Sequence, residues 1–363
     1  MDDELTALSI IEDVRITRGN ILPHYSNDLT RAGLVADELS REDAFAEYHA
    51  NCTANTHAAQ RNDLKLFAAY LAEAGVKRNP EDLYADAEAW RGMSRGLLKG
   101  FRKWMLDRGY AISSVNVRLT TVRQYVTLAH EAGVIVEEDY DLLMTVKGYS
   151  AKSGRNIDVE RHSQGRPTRK STKKAAPTPV STGQALRLKT ETTHPRRSSR
   201  RKHDAQLEAR DAVLMGLFIE HAFRVSEVAS LNMEDIDLER GTITVYRSKT
   251  DDTQTHRLKK HTRLAAERYL GQLEVKSGPL FRGYRGQRIT RYGLYDRVRL
   301  LGEQIGIDHL SPHDLRHYWT YDALGNGTPI DRVQAGGNWK SPAMVLKYAK
   351  RLGIANEGVI ITE

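Results

Sequence analysis

The sequence predicts a mainly α protein with a small antiparallel β-sheet, arranged as two domains on either side of a basic linker. Three observations lead there. Apolar residues recur at helical spacing from Asn55 to about Val146. The periodicity then disappears between Lys147 and Pro179, where Gly, Ser, Thr, Pro and basic residues dominate. It resumes near Val180, and in the second half one segment, GTITVYRSK, changes to the two-residue alternation of a strand.

Residues 1–45 form an acidic leader, with helical character toward its end, that suits a mobile arm or a protein-contact element. The first domain spans residues 46–147. Its first helix, NTHAAQRNDLKLFAAYLAEAGV, aligns Leu64, Phe67, Ala68 and Leu71, with Thr56 near the N-cap and Gly75 as the stop. A second, DAEAWRGMSRGLLKGFRKWMLDRGY, sets Leu97, Leu98, Phe101, Met105 and Leu106 against Arg91, Arg95, Lys99, Arg102 and Lys103. A third, SSVNVRLTTVRQYVTLAHEAGVI, buries Val115, Leu119, Val122, Tyr125, Val126 and Ala129 and leaves Arg118 and Arg123 outside. A fourth, short helix runs near Glu137 to Val146. The basic faces suit plain solvation, or phosphate contact along a duplex, where Lys and Arg supply affinity and little sequence information.

Residues 148–179 read as the linker, either tracking a phosphate backbone or simply solvated. The second domain covers residues 180–352, with a tail at 353–363. The basic loop HPRRSSRRKHD holds Arg200 and Arg201, two further candidate phosphate contacts. A core helix, AQLEARDAVLMGLFIEHAF, ends at Arg224, and a short helix covers Ser226 to Leu231. The strand then places Ile243, Val245 and Arg247 on one face and Thr242, Thr244 and Tyr246 on the other. TDDT reads as the turn and THRL as the start of the partner strand, with Lys249 at the tip.

The charge balance points to a polyanionic partner. The net charge is +8, but residues 1–50 hold eleven acidic side chains against four basic ones, so that stretch carries −7 and the rest of the chain +15. The lone Cys52 excludes an internal disulfide and a multi-cysteine metal site. No metal-binding histidine spacing occurs, and neither a metal nor a cofactor is expected. No apolar run approaches a membrane span, and the leader lacks the basic flank of a signal peptide, so a cytoplasmic protein is expected.

The most informative stretch is Ser311 to Leu352. Ser311-Pro312 is a cap followed by proline at the first helical position. His313 and Arg316 lie three apart, on one face near the positive end of that helix, a good place to hold an anionic oxygen. A second helix begins near Pro329 and stops at Gly336-Gly337, a glycine stop signal. Trp339 sits in the following turn. Ser341-Pro342 opens a third short helix that carries Tyr348. Short helices joined by tight turns can aim His, Arg, Trp and Tyr at one point.

Together with HAFRVSEVASLNMEDIDLERGTITV, YRSKTDD and HDLRH upstream, the closing box GNWKSPAMVLKYA resembles that of the tyrosine recombinase (phage integrase) family. The likeness covers roughly residues 46–352. It implies a helical core-binding domain followed by an α+β catalytic domain. It implies a catalytic set of Arg224, Lys249, His313, Arg316, Trp339 and Tyr348, with Glu227 orienting Arg224 or His313. Trp339 stands nine residues before Tyr348, where many members have histidine and some have tryptophan. Two departures, a long linker and Asn338 where glycine is common, are not expected to touch the chemistry.

The chemistry of these residues agrees. Two guanidiniums offer permanently charged, bidentate donors to phosphate oxygens, and fixed donors of this kind supply the largest catalytic term. Tyr348 would attack phosphorus to form a 3′-phosphotyrosine, its proton removed by His313 or displaced by the arginines' field. Lys249 would protonate the departing 5′-oxygen. Trp339 can donate only through its indole N–H. The resemblance further implies double-stranded DNA with specific recombination sites as the partner. It implies a homo-tetramer on DNA, strand exchange through a Holliday junction without ATP or metal, and domains that clamp the duplex. The alternatives are a type IB topoisomerase-like nicking-closing enzyme and a non-catalytic DNA-binding protein.

Overall fold

A computed structural model describes residues 28–168, 176–191, 201–248, 250–283 and 285–350. Lys249, Arg200 and the tail at 353–363 lie outside the described residues, as does most of the leader. The chain divides into two compact units, Met1–Lys173 and Lys174–Glu363. The architecture is mainly helical with one small antiparallel sheet, as the periodicities predict.

The first unit holds seven α-helices among its described residues: α1 (Asp28–Ala50), α2 (Ala54–Glu73), α3 (Pro80–Ala85), α4 (Arg95–Asp107), α5 (Ile112–Glu131), α6 (Glu137–Met144) and α7 (Ala151–Ser163). Its core, mostly aliphatic among the described residues, holds six aromatic side chains: Phe45, Phe67, Tyr84, Trp90, Phe101 and Tyr125. Trp90 is buried between Phe67 and Tyr125, with ring centroids 5.7 and 5.9 Å away, and its indole N–H donates to Leu83 O at 2.9 Å. Such pairs add to the area term that dominates burial. Helix α2 starts three residues earlier than the position of Thr56 suggests. Thr53 is the cap, and its hydroxyl accepts the Thr56 N–H. The expected second helix is split. Gly92 takes a left-handed conformation (φ 81°), and Ser94 then caps α4.

Two differences enlarge this unit. The end of the leader is helix α1, whose Phe45 is buried against Tyr125. The stretch expected to be linker contains α7. Ser150 caps it, Gly154 packs so closely that a Cβ there would lie 2.9 Å from Ile112, and Arg161 is 5% exposed. Arg161 donates to the carbonyls of Tyr110 and Pro167 at 3.2 and 2.6 Å. A helix that docks through a glycine and an arginine leaves no apolar periodicity to read.

The second unit comprises α8 (Thr182–Thr190), α9 (Arg201–His221), α10 (Val225–Ser230), α11 (Lys260–Gly271), α12 (Arg291–Gln304), α13 (Pro312–Gly325), α14 (Ile330–Gly337) and α15 (Pro342–Ala349). Strands β1 (Ile236–Asp237), β2 (Thr242–Arg247) and β3 (Asp252–Arg257) form an antiparallel sheet in the order β1-β2-β3. Val213, Leu217, Phe218, Phe223, Leu301 and Leu315 lie in its core. On β2 the alternation holds, with Ile243, Val245 and Arg247 buried. The last two residues of TDDT, however, belong to β3, because Arg247 pairs with Asp252 and Tyr246 with Thr253, and Asp251 before them is left-handed (φ 50°).

Candidate active site

The site is assembled where α9 ends. Ala222 adopts φ 53°, which costs a β-carbon-bearing residue roughly 1–2 kcal/mol, and Phe223 and Arg224 lead into α10. The Arg224 N–H donates to Glu227 Oε2 at 2.7 Å, and its Nη1 donates to Oε1 of the same carboxylate at 2.6 Å. Glu227 also receives Arg247 Nη1 on Oε2 at 3.0 Å. The sequence suggests that Glu227 orients Arg224 or His313; its two oxygens hold Arg224 and Arg247.

Helix α13 delivers Arg316. Ser311 caps it as expected, and Asp314 closes the box by accepting the Ser311 N–H and O–H at 2.8 and 2.7 Å. Arg316 is 3% exposed and donates from Nη1 to Ala222 O at 2.5 Å, so the strained turn after α9 supplies an acceptor for it. Burial, reinforced by the charges of Arg224 and Arg247 and opposed by Glu227 and Tyr348, pushes its pKa down to about 10. It is still cationic at neutral pH.

The end of α14 organises all three guanidiniums. Arg247 Nη2 donates to Gly336 O at 3.2 Å, Arg316 Nη2 to Gly337 O, and Arg224 Nη2 to Asn338 O at 3.0 Å. Three consecutive carbonyls at the negative end of a helix thus each take one arginine. The helix stops at Gly337, where the sequence places its end, and the left-handed cap that follows is Asn338 rather than a glycine (φ 49°). The glycines answer to bulk instead. A Cβ on Gly336 would come 3.2 Å from Trp319, and one on Gly337 would overlap the Trp339 ring. Asn338 also donates from Nδ2 to Thr250 Oγ1 at 3.0 Å, tying the β2–β3 turn to this cap. Asn338 is thus joined to Arg224 through its carbonyl and to Thr250 through its amide.

Tyr348 on α15 is 8% exposed. Its ring lies 6.1 Å from Trp339, 5.2 Å from His317 and 5.3 Å from Tyr321. Trp339 in turn lies under the Arg316 guanidinium at 4.2 Å. His313 is exposed, and its ring is 4.4 Å from that of His317, one turn along α13. The structure therefore brings together Arg224, Arg316, Trp339 and Tyr348, with His313 reaching Tyr348 by way of His317. Sequence reasoning passed over Arg247, His317 and Asn338. The inward face of β2 pointed to the first, and the four-residue spacing from His313 to the second.

The expected DNA-contact residues divide. Lys99 and Lys103 are exposed. Arg95 donates to Thr145 Oγ1 at 3.1 Å, Arg102 to Lys147 O at 2.5 Å and Arg123 to Met144 O at 3.4 Å. Arg118 lies 3.6 Å from Asp63 and over the Tyr110 ring. Arg95 is exposed as well, and each of these four arginines makes its contact within the first unit. Arg201 begins α9, and its side chain is outside the described set. Among the described residues no group of three or more His, Cys, Asp or Glu side chains is arranged to hold a metal ion, and no helix is long and apolar enough to cross a membrane.

Residues 198–352 match the sequence model of the phage integrase family. The tyrosine recombinase XerC of Roseiflexus castenholzii is 26% identical over 292 residues, covering 78% of this chain and 79% of that protein. The type 1 fimbriae regulatory protein FimE of Escherichia coli K12 is 31% identical over 132 residues, 35% of this chain and 67% of that protein. Among solved structures, the Tn1549 transposon integrase in complex with transposon right end DNA shares the fold, with a TM-score of 0.57 and 12% identity over 85% of this chain and 94% of that one.

Proposed function

The chain belongs to the phage integrase family of tyrosine recombinases, enzymes that break and rejoin DNA, and on that premise we propose that it exchanges strands between two specific DNA sites through a covalent link to Tyr348. The observation that carries this reading is the buried arginine cluster beside Tyr348: Arg316 against Trp339, and Trp339 against Tyr348. In the proposed reaction the Tyr348 oxygen attacks phosphorus, the bond to the 5′-oxygen breaks, and a 3′-phosphotyrosine forms. The phenol ordinarily holds its proton to a pKa of about 10. His317 and His313, lined up from the Tyr348 ring, are the nearby proton acceptors. Arg224 and Arg316 neutralise the non-bridging oxygens, whose charge grows in the transition state. Lys249 protonates the leaving 5′-oxygen. The link conserves the phosphodiester energy, so a 5′-hydroxyl from a second duplex reseals the strand without ATP. Four protomers acting on two sites, through a Holliday junction, complete the exchange.

The test is a suicide substrate, nicked near the scissile phosphate so that the cleaved 5′-end diffuses away. The unaltered protein forms a denaturant-resistant adduct, and Tyr348→Phe forms none while binding the same DNA. No adduct from the unaltered protein on any cognate site sinks the reading.

A further inference from the structure

We propose that Arg247 is a positioning residue for the transition state: it holds Glu227 and the end of α14, and through them fixes the guanidinium of Arg224 that faces the phosphate. This rests on the recombinase reading above. Arg247 sits on the face of β2 that carries Ile243 and Val245, and its own exposure is 0%. An apolar side chain would suit that position. Replacing buried ion pairs by packed apolar residues is often neutral or stabilising, so stability alone does not account for an arginine here. Its Nε–H is buried without a hydrogen-bond partner, a further cost of keeping it.

What Arg247 does is hold three acceptors at once. Nη1 takes Glu227 Oε2, and Nη2 takes Gly336 O and His256 Nε2, at 3.0, 3.2 and 3.0 Å. Arginine has only donors, so His256 Nε2 is the acceptor and that ring is neutral. With Oε2 engaged, the carboxylate presents Oε1 to Arg224 Nη1. The other end of Arg224 rests on Asn338 O, two residues beyond the carbonyl that Arg247 pins. Arg224 is thus oriented from both sides by groups that Arg247 holds. The cluster places three guanidiniums around one carboxylate, an excess of positive charge that a phosphate relieves.

The test compares single-turnover cleavage of a suicide substrate bearing a normal scissile phosphodiester with one bearing a methylphosphonate, which lacks one charged non-bridging oxygen and so leans less on Arg224. Arg247→Lys keeps a charge at Glu227 but cannot span all three acceptors. It should slow cleavage of the phosphodiester about 10- to 100-fold, and the methylphosphonate no more than about threefold. Combined with Arg224→Lys, it should add little to that variant's own loss. Both rates come from one preparation, so their ratio is independent of the folded fraction. Should Arg247→Lys fold poorly, Arg247→Gln is measured in the same way. An equal penalty on both substrates, or losses that multiply with Arg224→Lys, reduces Arg247 to a structural residue and overturns the proposal alone. Absence of any adduct from the unaltered protein overturns the recombinase reading and this proposal together.

Discussion

The two units use arginine in opposite ways. In the first, Arg95, Arg102 and Arg123 reach across to residues at the end of α6 and just beyond it, while Lys99 and Lys103 stay in water. In the second, Arg224, Arg247 and Arg316 converge on three successive carbonyls, and two of them are essentially buried. A solvated lysine acts on a polyanion one charge at a time, by displacing counterions, and its effects add. Guanidiniums fixed in a largely buried site act as a unit, because each one's orientation depends on the acceptors of the others. The same composition can therefore supply affinity in one place and preorganisation in another. Burial decides which.

Removing one buried arginine should give the largest effect. Arg316→Ala leaves Ala222 O and Gly337 O without their donor. Adduct formation should drop by about 10³-fold or more, with a loss of stability on the order of 3 kcal/mol. Cleavage within tenfold of the unaltered protein would show that the buried cluster is not the catalytic one.

Acid should act next, and on the second unit. Burial and the Arg247 charge depress the pKa of His256 to about 4, and burial depresses that of His221 to about 3. Both rings fold neutral, whereas the unfolded chain takes up their protons near pH 6.5. The unfolded state binds more protons between those values, so stability is full above about pH 6.5 and falls as the pH drops toward 4, by about 3 kcal/mol for His256. His256→Gln should flatten part of that slope in thermal melts taken across the window. An unchanged slope would place the acid sensitivity elsewhere.

Asn338 separates backbone from side chain. Asn338→Gly keeps the left-handed turn and the carbonyl but loses the amide that reaches Thr250, so stability should hold within about 0.5 kcal/mol while cleavage slows. Asn338→Ala must also accept the left-handed strain, roughly 1–2 kcal/mol, which a lower melting temperature would register. The smallest effects belong to the solvated lysines. Lys99→Ala and Lys103→Ala should each weaken DNA binding only a few-fold, equally for all sequences, and reduce the salt slope by about one. Arg102→Ala should instead destabilise the first unit. Lysine variants that bind DNA with unchanged affinity and salt dependence would remove that face from the interface.

Where the site was legible in the sequence, the signal was local. Ser311 and Pro312 announce a capped helix within two residues, and the helix forms as read. The β2 alternation turned Arg247 inward, but nothing nearby named its partners. Gly336-Gly337 marked where the helix ends but not which residue caps it, because a glycine needed for close ring packing and one needed for a left-handed cap leave the same letter in the sequence. Helix α7 went unread because its docking residues, Gly154 and Arg161, carry no hydrophobic pattern.

The sequence by itself determined the elements that carry the candidate side chains and the charge that suits a polyanion. These follow from caps, periodicity and spacing, which act between residues no more than a few positions apart; the ordered set Arg224, Lys249, His313, Arg316, Trp339 and Tyr348 rests on the resemblance to the tyrosine recombinases. Only the tertiary structure decided which acceptor holds each arginine. Arg224 meets its carbonyl across 114 residues, Arg247 across 89 and Arg316 across 21. A backbone carbonyl is the same chemical group at every position, so no letter of the sequence marks the three that the fold brings under the guanidiniums.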